Sequence, residues 1–251
     1  MNKNDITEVM TMELLIKDVK KTFSDQAVLK GINLHVKAHE FICILGHSGC
    51  GKSTLLNLIA GFTLPDSGTL TIEGKAINGP DQDRGIVFQE HALFPWYTVL
   101  ENIEFGPIVQ GKSKEEARRL AMKYLTMIGL EHCASHYPSE LSGGMKQRVG
   151  IARALAGEPK LLLMDEPFAA LDVFTKETMR KELIDIWSTL KTTIVFITHD
   201  IAEAAYLADR VIVMKNGGTA REIPVELPRP RRFDQLGFGK LVADLESILV
   251  N

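Results

Sequence analysis

Apolar positions along this chain fall into short runs. Residues 14–19, 28–36, 41–45, 69–72, 85–88, 161–164, 193–198 and 210–214 are aliphatic or β-branched and bounded by turn residues, which predicts strands. Between the later runs the period changes. Residues 113–128 open with a Ser113/Glu116 capping-box spacing, and residues 174–190 place Leu183, Ile186, Trp187 and Leu190 on one face, so both predict helices. Strand and helix alternating in this way imply a parallel sheet with helices on both sides. In the first third, strands follow one another across Gly31, Asp66-Ser67-Gly68 and Gly74, which predicts an antiparallel β-lobe beside that sheet. From about Glu90 to Pro159 the pattern is mostly helical and reads as an inserted lobe. After Asn216-Gly217-Gly218 the chain turns irregular, with Pro224, Pro228 and Pro230, before a last helix over 238–249. There is no internal repeat and no low-complexity segment.

The length of 251 residues lies at the upper edge of what one core organises, so a single domain over 1–251 is expected, with a helical lobe at about 90–159 and a short tail from about 217. Hydrophobic residues at 45% and charged residues at 24% exclude disorder, collagen and coiled coil. A formal charge of -3 gives no basic field and speaks against nucleic acid as a partner. Cys43, Cys50 and Cys133 form no CxxC pair and suit free thiols in a reducing compartment better than disulfides or zinc. Residues 1–21 lack the apolar segment of a signal peptide, and no apolar run approaches the roughly 20 residues of a membrane span. Work at a membrane would need another chain to supply the span.

Residues Gly46, His47, Ser48, Gly49, Cys50, Gly51, Lys52, Ser53 and Thr54 satisfy GxxxxGK[ST], directly after a strand pattern and before a helix pattern. Glycines let successive backbone amides and the helix start wrap a polyphosphate, Lys52 neutralises its terminal oxygens, and the Ser53 hydroxyl reaches magnesium. The apolar run 161–164 ends in Asp165 and Glu166, which a doubly wound sheet places at its ligand-binding edge. Asp165 can hold the metal, and Glu166 can orient or deprotonate water; by themselves these read rather as solvated acids at a strand end. Leu141-Ser142-Gly143-Gly144-Met145-Lys146-Gln147-Arg148 is a second glycine-bearing helix start, where Ser142 can cap, the Gly143 and Gly144 amides are bare, and the helix dipole favours an anion. Out of context it is also readable as a plain capped helix.

Taken together these residues resemble the ATP-binding subunits of ABC transporters, across about residues 14–214. The order and spacing of all parts agree: Walker A at 46–54, Q-loop Gln89, signature 141–147, Walker B 161–166, D-loop Ala169-Ala170-Leu171-Asp172 and switch His199. The resemblance implies an α/β P-loop NTPase of ABC type that binds ATP and Mg2+ and hydrolyses ATP. It implies a head-to-tail dimer, with Walker A of one copy and the signature of the other enclosing each nucleotide. In that arrangement Glu166, His199, Gln89 and Lys52 are catalytic, Ser53, Gln89 and Asp165 serve the metal, and Asp172 joins the nucleotide-binding set. Phe23 stands in the place of the aromatic that stacks on adenine, although by itself it reads as a core residue. His47, His39, Ala169 and Met145 stand where relatives often carry Pro, Gly, Ser and Gln, and none of these departures removes a catalytic group.

The segment 78–107 and the tail 227–232 look like the importer subgroup for aliphatic sulfonates, taurine or nitrate, with sulfonates first. The resemblance implies transmembrane permease partners, a periplasmic or extracellular substrate-binding protein acting indirectly, and a peripheral location on the cytoplasmic face of the inner membrane. Pro95, Trp96, Tyr97, Val99 and Leu100 form an aromatic-apolar group readable as a docking knob or as local core. Arg229, Arg231 and Arg232 read as a solvated tail. An exporter or lipoprotein-release ATPase, or a non-transport ABC scaffold, are the alternatives.

Overall fold

A computed structural model describes residues 12–90 and 92–250. The expectations for residues 1–11, and for His91 within the 78–107 segment, lie outside them. Two sheets form. Strands β1 (Leu14–Phe23), β2 (Gln26–Val36), β4 (Ser67–Ile72) and β5 (Lys75–Ala76) make an antiparallel sheet in the order β2-β1-β4-β5. Strands β3 (Phe41–Leu45), β6 (Arg84–Val87), β7 (Leu161–Asp165), β8 (Thr193–Thr198), β9 (Arg210–Lys215) and β10 (Gly218–Pro224) make a second sheet in the order β10-β9-β3-β8-β7-β6. Its pairings are parallel except between β9 and β10.

The continuous apolar character of the parallel strands follows from burial on both faces. In β3, Phe41, Cys43 and Leu45 enter one core while Ile42 and Ile44 enter the other. β7, β8 and β9 divide the same way: Leu162, Met164, Phe196 and Val213 face the first core, Leu163, Val195 and Met214 the second. The first core is closed by helices α2 (Val99–Val109), α3 (Lys114–Met127), α4 (Gly143–Ala156), α5 (Val173–Leu190), α6 (Ile201–Leu207) and α7 (Phe238–Val250). The second lies between the two sheets around α1 (Lys52–Ala60), through Leu55, Leu56, Leu58 and Ile59. Each fully buried aliphatic side chain contributes about 1.5–3 kcal/mol, so both helix layers are held by the strands that carry the site at their ends.

Local chemistry sets the element ends. Ser113 and Glu116 form the expected capping box, and Thr98 with Glu101 forms another at the start of α2. Three two-residue hairpins have positive φ at both central residues, Ser24-Asp25, Glu73-Gly74 and Asn216-Gly217, the backbone that matches strand twist. The last corrects the sequence reading. Asn216-Gly217 does not open an irregular tail; it turns the chain into β10, whose residues Gly218, Glu222 and Pro224 pair with Lys215, Ile212 and Arg210.

The tail arginines are also corrected. Arg231 is only 4% exposed. Its Nη1 donates to the carbonyls of Tyr206 and Ala208 at 3.0 and 2.6 Å, and its Nε to that of Leu227 at 2.9 Å. Helix ends leave carbonyls without intrahelical partners and carry partial negative charge, so a guanidinium there caps α6. Burial, with Arg229 adding to it, pulls the Arg231 pKa down to about 10. Arg229 bonds Asp209 and the Leu207 carbonyl and lies 4.4 Å over the Trp187 ring. Only Arg232 is the exposed tail residue expected, paired with Asp234.

Candidate functional site

The loop between β3 and α1 turns on glycines at positive φ, Gly49 at 79° and Gly51 at 105°. At Gly51 a Cβ would also come 2.7 Å from Leu29 Cδ2, and at Gly46 it would come 2.6 Å from the Met214 carbonyl. The loop is thus pressed against β2 and β9. Lys52, 4% exposed, donates to the carbonyls of Gly46 at 2.8 Å and His47 at 3.1 Å.

β3 and β8 are paired in parallel, as are β8 and β7, so residues that leave these strands emerge at one edge. Ser53 Oγ donates to Asp165 Oδ1 at 3.2 Å. Lys52 Nζ is 3.6 Å from Glu166 Oε1, and His199 Nδ1 is 2.8 Å from Glu166 Oε2. Glu166 adopts φ 42°, unusual for a residue with a Cβ, and its amide donates to the Ile197 carbonyl at 3.0 Å. Burial holds the Asp165 carboxyl above its ordinary range; the Ser53 bond opposes this, the Glu166 charge adds to it, and Lys52 opposes it. A hydroxyl and a half-buried carboxylate this close suit a magnesium ion that keeps most of its ligands as phosphate and water. Among the described residues no cluster of three His, Cys, Asp or Glu forms an all-protein metal cage.

A cavity of about 480 Å3 opens beside the loop, lined by His47, Ser48, Gly49 and Cys50 on one side and by Gln26, Val28 and Asn216 on the other. Phe23 ends β1 opposite Gln26, is 48% exposed and lies under Lys21 Nζ at 5.3 Å. It is a surface ring at the hairpin beside the cavity, not a core residue. Cys50 faces the cavity too, as a free thiol.

The remaining residues are placed apart from this group. Gln89 is exposed two residues past Val87, which pairs with Met164, so it leaves the sheet level with Glu166. Ser142 caps α4, accepting from Met145 N at 3.3 Å, with Gly143 and Gly144 in the first turn. Asp172 caps α5, accepting from the amides of Phe174 and Thr175, both at 3.1 Å. Among the described residues, none of the hydrogen bonds or ion pairs of Lys52, Ser53, Asp165 and Glu166 reaches 142–144. One chain therefore presents two separate glycine-bearing helix starts.

The aromatic group after the Q-loop divides. Val99 and Leu100 are core, whereas Trp96 is 67% exposed. Sequence reasoning missed what holds it. Buried Asn102 donates to the carbonyls of Phe94, Tyr97 and Thr98 at 3.1, 3.1 and 2.9 Å and accepts from Phe94 N at 2.9 Å, fixing the turn that presents Trp96. Glu203 and Arg180, buried behind His199, were missed as well. An Asn or Glu within an apolar helix pattern was the available signal.

The parallel sheet, the glycine loop and the two acids at its edge define a P-loop nucleoside triphosphatase. The chain belongs to the ABC transporter family, whose profile matches residues 29–169. It is 51% identical over 223 residues to the nitrate import ATP-binding protein NrtD of Synechocystis sp., covering 86% of this chain and 84% of that one. It is 46% identical over 232 residues to the bicarbonate transport ATP-binding protein CmpD of the same organism, covering 90% and 82%. Among solved structures, cbiO1 of Clostridium perfringens, part of the ABC transporter complex cbiONQ, superposes with TM-score 0.79 at 34% identity over 85% of this chain and 88% of that one. The ATP-binding cassette MJ0796, in a dimeric post-hydrolysis state bound to ADP and Pi, superposes with TM-score 0.75 at 38% identity over 86% and 100%. The chain is an ATPase that uses ATP with Mg2+.

Proposed function

We propose that this chain, as one nucleotide-binding domain over 1–251, energises an importer of small oxyanions, with nitrate foremost. The observation that carries the hydrolytic part is Glu166, held between Lys52 and His199 beside Asp165 and Ser53. The cargo is supported by likeness alone, since the named relatives serve nitrate and bicarbonate. Alkanesulfonates share the oxyanion group and taurine carries it beside an ammonium, but neither is named among these relatives.

In this reading the amides of 46–54 and Lys52 bind the β- and γ-phosphates, and Phe23 covers the adenine. Ser53 and Asp165 would hold magnesium, which would supply positive charge against that building on the phosphates. Glu166 accepts the proton of the attacking water, while His199 keeps the carboxylate turned toward it and meets the γ-phosphate. Gln89 reports on this edge to the permease side. Ser142, Gly143, Gly144 and Asp172 act on the nucleotide of a second copy, which the separation of the two helix starts favours. The Trp96 turn docks the membrane-spanning partner at the cytoplasmic face; no helix among the described residues is long and apolar enough to cross a membrane. Closure of two copies around two nucleotides supplies work through differential binding to the open and closed states.

The test uses the full-length Glu166→Gln chain. It should form dimers in MgATP that revert to monomers on removal of nucleotide, and co-purify with a membrane-spanning protein whose retention falls in Trp96→Ala. Monomers at saturating MgATP contradict the dimer.

A further inference from the structure

His199 follows directly on β8, and the residues flanking it are pinned by side chains. Thr198 Oγ1 donates to Glu203 Oε2 at 2.7 Å and accepts from Asp200 N at 3.0 Å. Asp200 in turn caps α6, accepting from Ala202 N at 2.8 Å and Glu203 N at 3.1 Å. The His199 ring itself is half exposed and meets Glu166. Its aim is therefore set by the turn that carries it.

Behind that turn lies an unusual pair. Glu203 is 3% exposed and Arg180 of α5 is 8% exposed. Glu203 Oε1 faces Arg180 Nη2 at 3.9 Å, too far for a hydrogen bond, and among the described residues both Glu203 Oε1 and Arg180 Nε lack hydrogen-bond partners. The guanidinium lies 5.4 Å from the Phe233 ring centroid. Two buried charges that do not bond each other directly recover little of their desolvation cost, and apolar residues of the same size generally serve stability as well or better. Packing does not account for them.

We propose that Glu203 is a positioning residue for ATP hydrolysis. Through Thr198 it holds the 198–200 turn so that His199 faces Glu166, and through Arg180 it ties that turn to α5, the helix capped by Asp172 of the D-loop. This rests on the reading of Glu166 and His199 given above. It makes the D-loop helix and the switch histidine one mechanical unit inside a single copy.

The test is a cycle on the full-length chain, comparing Thr198→Val, Thr198→Ser, Glu203→Leu and His199→Ala, with Thr198→Val and Glu203→Leu each also placed in the His199→Ala background. Thr198→Val should lower kcat about tenfold or more, the loss expected of a hydrogen bond to a charged group, with KM for ATP within about twofold. Thr198→Ser, which keeps the hydroxyl, should restore kcat. In the His199→Ala background neither further change should cost more than about twofold, because the two act through the same ring. A loss of equal size in both backgrounds marks a merely structural role and overturns the proposal. If Glu203→Leu does not fold, the Thr198 series decides the question. Wild-type kcat in His199→Ala alone refutes the reading of the site itself, and this proposal with it.

Discussion

His199 Nδ1 lies 2.8 Å from one oxygen of Glu166, and Lys52 Nζ lies 3.6 Å from the other. One carboxylate is thereby steered from both ends, by a group that follows β8 and a group that opens α1. A base held this way should matter to the chemical step and little to nucleotide affinity. Glu166→Gln should lower kcat by about 10²- to 10⁴-fold, the usual worth of a general base, with ATP affinity unchanged. Phosphate release and equilibrium nucleotide binding check this. A matching loss of affinity would show that Glu166 serves ground-state binding.

Asp165 gives a stability prediction with a definite sign. Its carboxyl titrates above its ordinary range in the fold, chiefly through burial. The folded chain therefore holds the proton more tightly than the unfolded chain between the two pKa values, so this group's contribution to stability falls as pH rises through that window. Asp165→Asn should raise the unfolding midpoint at neutral pH without MgATP, since it removes the charge that burial penalises. The gain should shrink as pH is lowered through the window, and MgATP should stabilise the variant less than the native chain. Thermal scans with and without MgATP measure all three.

At Gly144 a Cβ would come 2.7 Å from Thr175 Cγ2, where the signature helix start meets the D-loop helix. Alanine normally favours a helix over glycine by about 0.5–1 kcal/mol, so a loss of stability and turnover in Gly144→Ala would report the clash. Thr175→Ser removes the methyl and keeps the hydroxyl that bonds Asp172 Oδ2 at 2.5 Å. The double variant should recover the midpoint and kcat lost by Gly144→Ala, which stability and ATPase assays can read together.

Arg231 is the most consequential of the tail residues. Arg231→Met keeps the buried stem and removes the donors that cap the end of α6. Leaving those carbonyls unpaired should cost about 2–3 kcal/mol, readable as a lower denaturant midpoint at unchanged m-value. A change within about 0.5 kcal/mol would place the guanidinium outside the fold's support.

Arg231 also shows where sequence reading ends. The loop 46–54, the strands at β3, β7 and β8, and the capping box Ser113/Glu116 were legible because each is a local pattern whose physics is complete within a few residues. Arg231 bonds carbonyls more than twenty residues away, and an arginine among prolines carries no sign of that. The same holds for Glu203 and Arg180, which meet from different helices, and for Asn102, whose partners belong to a turn before its own helix. β10 was readable in principle, since Asn216-Gly217 after an apolar strand is a hairpin signal, but the prolines that follow obscured it. Phe23 read as core because an aromatic near a strand end usually is, and the cavity that gives it another place is built from β2 and the P-loop together.

In the source cells the native gene would be replaced at its locus by Glu166→Gln, with accumulation of the variant checked, and uptake of labelled nitrate, bicarbonate, taurine and an alkanesulfonate compared. Selective loss of nitrate uptake is the predicted result. Unchanged uptake of all four solutes, with the variant present at native levels, would contradict the claim that this ATPase energises their import.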